Sequence, residues 1–110
     1  MKLPDMPFTP LDWASVPATE YPGTNGSAFW RTVEHGTLRL RVVDYSPGYE
    51  ADHWCDRGHV LHVLSGRMVI RLRDGRSVAL APGQGFCVSD HGDAAHLVVS
   101  DTGCRAFIVD

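Results

Sequence analysis

Gly48-Tyr49-Glu50-Ala51-Asp52-His53-Trp54-Cys55-Asp56-Arg57-Gly58-His59-Val60-Leu61-His62-Val63-Leu64-Ser65-Gly66 is the stretch on which the reading of this chain turns, because three His and one Cys fall within ten residues of it. On an extended strand His53 and Cys55 share a face and Trp54 takes the other. Asp56-Arg57-Gly58 reads as a three-residue hairpin turn, with Gly58 in the left-handed position such loops use. That turn sets Cys55 opposite His59, where paired residues hold their Cβ atoms ~4.5–5.5 Å apart. Imidazole nitrogen and thiolate sulfur reach a metal at about 2.0–2.3 Å, so His53, Cys55 and His59 can converge on one ion. His62 stands three residues from His59 and faces away, unless a bulge intervenes between them.

Short alternating runs extend on either side. Leu38, Leu40 and Val42 alternate with Thr37, Arg39 and Arg41, and Met68, Ile70 and Leu72 alternate with Arg67, Arg71 and Arg73. Both have the period of half-buried strands. Asp74-Gly75 between two such runs predicts a two-residue hairpin turn with positive φ at both positions. Further strands are expected at 84–88, 96–100 and 105–109, and no helix of ten residues emerges. About eight short strands separated by turn residues predict an all-β sandwich or small barrel, the double-sheet jelly roll among them.

Before residue 29 the pattern differs. Five of the seven prolines, at 4, 7, 10, 17 and 22, crowd the first 22 residues. Proline lacks the ladder donor, which excludes a central strand there. The segment reads as an extended arm, with Phe8, Leu11, Trp13 and Tyr21 giving it apolar surface to lie on its own domain or on a second subunit.

Whole-chain properties narrow the function classes. At 110 residues there is room for one domain, and a net charge of -3 supplies no basic field for a nucleic acid. Nine of the ten basic residues are Arg, and those at 39, 41, 67, 71 and 73 read as a solvated outer sheet face rather than an anionic-ligand patch. Cys55, Cys87 and Cys104 are odd in number and lack C-x-x-C spacing, which fits a reducing compartment. No signal-peptide core follows Met1 and no apolar run is long enough to span a bilayer, so the expectation is a cytoplasmic protein without a membrane partner.

The quoted stretch resembles the first cupin motif, in which a glycine and a short spacer lead to His-x-His, a further spacer, a Glu and a final glycine. Gly48, His53-x-Cys55, His59 and Gly66 follow that spacing, with Cys55 standing in place of the second His and His59 in place of the Glu. Leu80-Ala81-Pro82-Gly83-Gln84 resembles the proline-glycine turn of the second motif, which places His96 at its metal-binding His and Ser100 where Asn is common. Alternation gives His96, Val98 and Ser100 one face. Asp52-His53-Trp54-Cys55 with Gly58-His59 is similar to a small cupin group labelled for an Asp-His-Cys-Trp (DHCW) motif, and the ending Phe107-Ile108-Val109-Asp110 is compatible with it. The two motifs cover about half the chain. The resemblance implies an all-β double-stranded β-helix, a jelly-roll barrel of residues 29–110 preceded by the arm of residues 1–28. It also implies a metal pocket without an assigned reaction and, together with the arm, a homodimer.

The expected metal ligands are therefore His53, Cys55, His59 and His96. The plainer alternative is a metal-free pocket whose imidazoles bond one another, with Cys55 a small buried hydrophobe. Cys87 and Cys104 read as core residues, and His35 and His91 as surface loop residues. Asp52 is a candidate to orient a ligand. Tyr49, Asp90 and Asp93 are candidate acid/base groups that nothing local separates from turn formers. Imidazoles with a thiolate suit zinc first, then iron, nickel or copper, and the lack of carboxylate ligands argues against magnesium and calcium. Four ligands would close a tetrahedral zinc site into a structural one; three would leave a position for water or substrate. The expected function is a small metal-binding barrel able to host a small-molecule ligand. One form is a metal-dependent enzyme, an oxygenase or isomerase of a small organic acid or thiol; the other is a non-catalytic sensor or storage module with a closed site.

Overall fold

A computed structural model describes Leu3 and residues 5–110; Met1, Lys2 and Pro4 of the expected arm lie outside the described residues. Among the described residues, ten strands form two antiparallel sheets. The six-stranded sheet runs, in spatial order, β1 (Thr19–Pro22), β2 (Ser27–His35), β3 (Leu38–Tyr45), β10 (Cys104–Val109), β5 (His59–Gly66) and β8 (Gly85–Val88). The four-stranded sheet runs β4 (Tyr49–Glu50), β9 (His96–Ser100), β6 (Met68–Leu72) and β7 (Ser77–Leu80). The helical content among the described residues is one 3-10 turn, Trp13–Ser15. The expected all-β jelly roll is thus present, and the three strands read downstream appear as β8, β9 and β10.

The core lies between the sheets, where Val43, Leu61, Val63, Met68, Ile70, Ala106 and Ile108 are buried. Alternation on β5 turns His59, Leu61 and Val63 inward and leaves His62 exposed, as expected. A register shift does occur on this strand. It lies farther along, where Arg105 pairs with Ser65 and Ala106 with Val63, so it spares the His59 to His62 parity.

The reading of β3 needs correcting. Its inward face is Arg39, Arg41, Val43 and Tyr45, with Arg41 only 4% exposed. Leu40 and Val42 face outward, beneath the arm: Val42 pairs with Phe107 and Arg31, Trp13 packs edge-on against Phe107 at 6.0 Å, and Arg31 Nε donates to Val16 O at 3.1 Å. A cover on the outer face makes both faces of β3 half-buried, and alternation alone cannot tell which side is the interior. Arg67, Arg71 and Arg73 are exposed as expected. The arm itself becomes an edge strand from Thr19, pairing with β2.

Two turns differ in detail. The Asp74-Gly75 hairpin forms, but only Gly75 has positive φ, at 102°, and Leu72 pairs with Arg76 around the three residues Arg73-Asp74-Gly75. No hairpin joins Cys55 to His59. Cys55 pairs instead with His96, by bonds of 2.7 and 2.8 Å between their backbone groups, and residues 56–58 carry the chain from one sheet to the other. Gly58 is not left-handed; a methyl group there would lie 2.7 Å from Asp90 N and 2.8 Å from Val88 O, so close backbone approach is what requires glycine.

Candidate metal centre

Three side chains meet at one end of the barrel. Cys55 and His96 are cross-strand partners, which sets their side chains on one face of the four-stranded sheet. His59 arrives from the first residue of β5, in the opposing sheet. The donor atoms of Cys55, His59 and His96 all lie within 4.8 Å of one another, and Cys55 Sγ is 3.7 Å from His59 Nε2. Tetrahedral zinc with ordinary Zn–S and Zn–N bonds would separate such atoms by about 3.5 Å, so the pair needs only a few tenths of an ångström of adjustment.

Aromatic rings line one side of the site. His59 and His96 meet edge to face at 5.0 Å, and Phe86 packs edge-on against His96 at 5.4 Å and His59 at 6.4 Å. Burial disfavours an imidazolium here. It lowers His96, with the neighbouring His59 adding to the effect, to a pKa of about 4. Burial also lowers His59, against the opposing pull of Asp110. Both rings are therefore neutral at neutral pH, the form that binds a metal.

A carboxylate that the sequence reasoning missed holds His59 in place. Asp110 Oδ2 accepts from His59 Nδ1 at 3.0 Å, which leaves Nε2 aimed at Cys55. The same carboxylate takes Arg39 Nε and Nη2 at 2.9 and 2.8 Å and Arg41 Nη2 at 2.9 Å. Burial raises the Asp110 pKa, but the bond from Arg39 and the charges of Arg41 and Arg39 outweigh it and hold the group below the usual carboxylate range. Asp110 follows the last strand and reaches the site only because β10 lies between β3 and β5. The one legible hint was an acidic residue ending an apolar strand run.

The remaining candidates sit elsewhere. His53 lines the mouth of the same cavity, but its side chain is 76% exposed and its Nδ1 bonds Asp52 Oδ1 at 2.6 Å, so the structure does not bring it into the cluster. Asp52 orients His53 rather than a member of the cluster. Cys104 is buried in the core, whereas Cys87, expected there too, is exposed: β8 is an edge strand whose Phe86 and Val88 take the inner face. His91 is an exposed turn residue paired with Asp56 at 2.9 Å, and His35 ends β2 partly buried. Asp90 accepts from Gly58 N at 2.6 Å and Asp93 from Arg76 at 2.6 Å, which makes both turn braces. Ser100 is buried and its hydroxyl donates to Arg67 O at 2.6 Å. Tyr49 is buried at the cavity wall, and burial raises its pKa.

The cavity has a volume of about 300 Å³ and runs from the cluster to Arg39, Arg41 and Trp30. No protein-family profile matches the chain, and no curated protein matches it in sequence. Solved structures do match in fold. The polyketide cyclase RemF from Streptomyces resistomycificus is 21% identical, with a TM-score of 0.73 over 93% of this chain and 78% of that one. A cupin-superfamily sugar phosphate isomerase from Silicibacter pomeroyi is 18% identical, with a TM-score of 0.70 over 92% and 74%. A cupin-2 domain protein from Shewanella frigidimarina is 18% identical, with a TM-score of 0.60 over 74% and 78%.

Proposed function

For a chain with the cupin fold, we propose a small metal-binding protein in which Cys55, His59 and His96 hold a transition metal, zinc first among the candidates, at the end of a cavity that takes a small-molecule ligand. The observation that carries this reading is the convergence of one thiol and two neutral imidazoles within 4.8 Å, with the second nitrogen of His59 fixed by Asp110. Soft sulfur and imidazole donors suit zinc, and also iron, nickel or copper. The set lacks a carboxylate donor, which disfavours magnesium and calcium.

Three protein ligands leave a tetrahedral ion one open position, and the cavity gives that position room for a ligand. This favours the open site over the closed, structural one. A bound ion would act as a Lewis acid toward an oxygen of the ligand. The chain's own residues do the rest: Phe86 packs edge-on against both imidazoles, and Asp110 holds the His59 tautomer. Structures of this fold include a cyclase and an isomerase; a shared fold does not select among reactions. An oxygenase- or isomerase-like activity on a small organic substrate is the enzymatic form of the proposal.

Metal analysis after loading under reducing conditions tests it. Wild type is expected to retain about one equivalent per chain, and His59→Ala and His96→Ala to lose it. Failure of the wild type to retain any transition metal removes the proposal. Retention by His53→Ala supports the three-residue site, and loss of metal there restores the four-ligand alternative. The three free thiols fit a cytoplasmic, reducing setting. A second copy of the chain is the partner we propose, on the strength of the cupin resemblance and of the apolar Phe8 and Leu11 that the arm leaves exposed. A monomeric full chain by light scattering removes that part, and an oligomeric state unchanged on removal of residues 1–18 removes the arm's share in it.

A further inference from the structure

The cavity that ends at Cys55, His59 and His96 has a second polar pole. Arg39 and Arg41 both turn into it, and each guanidinium lies over the Trp30 ring, with centroid distances of 5.6 and 4.3 Å. Two cations share one counter-ion, Asp110. Arg57 lines the cavity as well, so guanidinium groups outnumber the one carboxylate that Arg39 and Arg41 share. Arg41 is 4% exposed, and its buried Nε finds no hydrogen-bond partner among the described residues. A buried guanidinium with an unsatisfied donor is costly unless something supplies an acceptor.

Between the poles the wall is apolar, formed by Tyr45, Phe86, Val98 and Ile108. We propose that this cavity binds a small organic carboxylate, its anionic end received by Arg41 and its apolar body lying along that wall toward Cys55, His59 and His96. Planar, multi-donor guanidinium groups match a carboxylate, and Trp30 holds the Arg41 plane without consuming a donor. A cavity of about 300 Å³ limits the ligand to a short aliphatic or single-ring acid. The inference rests on the ligand-site reading above but not on the metal, since neither Arg41 nor Trp30 belongs to the cluster.

Benzoate and its neutral counterpart benzamide are the probes, titrated calorimetrically into the full chain in metal-loaded and metal-stripped forms. Saturable binding of benzoate, with benzamide at least roughly tenfold weaker, is expected in both forms. Arg41→Met is expected to abolish benzoate binding. Should that variant not fold, Arg41→Lys, which keeps the charge and loses the planar fork, decides instead, with at least roughly tenfold weaker binding expected and metal content unchanged. Equal affinity for the two probes, no benzoate binding by wild type, or unchanged affinity in the folded Arg41 variant overturns the proposal. Because the stripped form is measured as well, absence of a metal and absence of a carboxylate site give different results.

Discussion

Asp110 joins more of the site than any other side chain, because its two oxygens meet Arg39, Arg41 and His59. Asp110→Asn keeps the shape and loses the charge. Metal affinity is expected to fall about 10–100-fold, as when a carboxylate behind a ligating imidazole is removed, and competition with a chelating dye measures it. Asp110→Ala leaves Arg41 buried without its counter-ion and should cost about 3 kcal/mol in urea unfolding, the lower end for breaking a buried pair, since Arg39 is 27% exposed and regains water. The candidate ligands themselves were legible as residue types at motif spacing. Asp110 was not, because an acidic residue just after an apolar strand run does not signal which neighbours the sheet will give it.

Among the elements, the 56–58 crossing decides whether the site forms at all. It brings Cys55, on the four-stranded sheet, to His59, on the six-stranded one. Gly58→Ala forces a methyl group against the backbone of Val88 and Asp90 and should cost about 1–3 kcal/mol, with weakened metal retention as a second readout. Gly75→Ala, in an open hairpin where only the positive φ matters, should cost about 1 kcal/mol and leave metal retention unchanged. The arm is a comparable brace for the outer sheet face. Trp13→Ala removes the edge-on contact with Phe107 and should lower the melting temperature by an amount equivalent to about 1 kcal/mol. Strand positions could be read because period-two alternation is local. The Cys55 to His96 pairing could not, since it depends on which distant strand lies alongside.

For the whole molecule, burial of the two imidazoles links stability to pH. His96 titrates at about 4 in the folded, metal-free chain, against ~6.5 in an unfolded one. The unfolded chain takes up the proton first as pH falls, so this contribution is full above about pH 6.5 and is lost progressively toward pH 4. His59 is lowered too and shifts stability in the same direction. Metal-free protein is therefore expected to melt at steadily lower temperature from pH 7 to pH 4. His96→Gln should flatten that dependence, and a bound metal should raise the whole curve by mass action. A melting temperature in the metal-free form that is independent of pH over this range contradicts the assignment.

By itself the sequence determined an all-β barrel of short antiparallel strands and the clustering of candidate donors around residues 53–59, because turn chemistry, side-chain alternation and motif spacing are properties of neighbouring residues. Only the tertiary structure decided that Arg39 and Arg41 point inward, that His53 stays at the rim while His96 pairs with Cys55, and that Asp110 joins both poles of the cavity. Those facts depend on which sheet face is covered and which strands lie side by side. Burial on both faces of β3 erases the inside-outside signal, and contacts between distant strands leave no periodic trace in the chain.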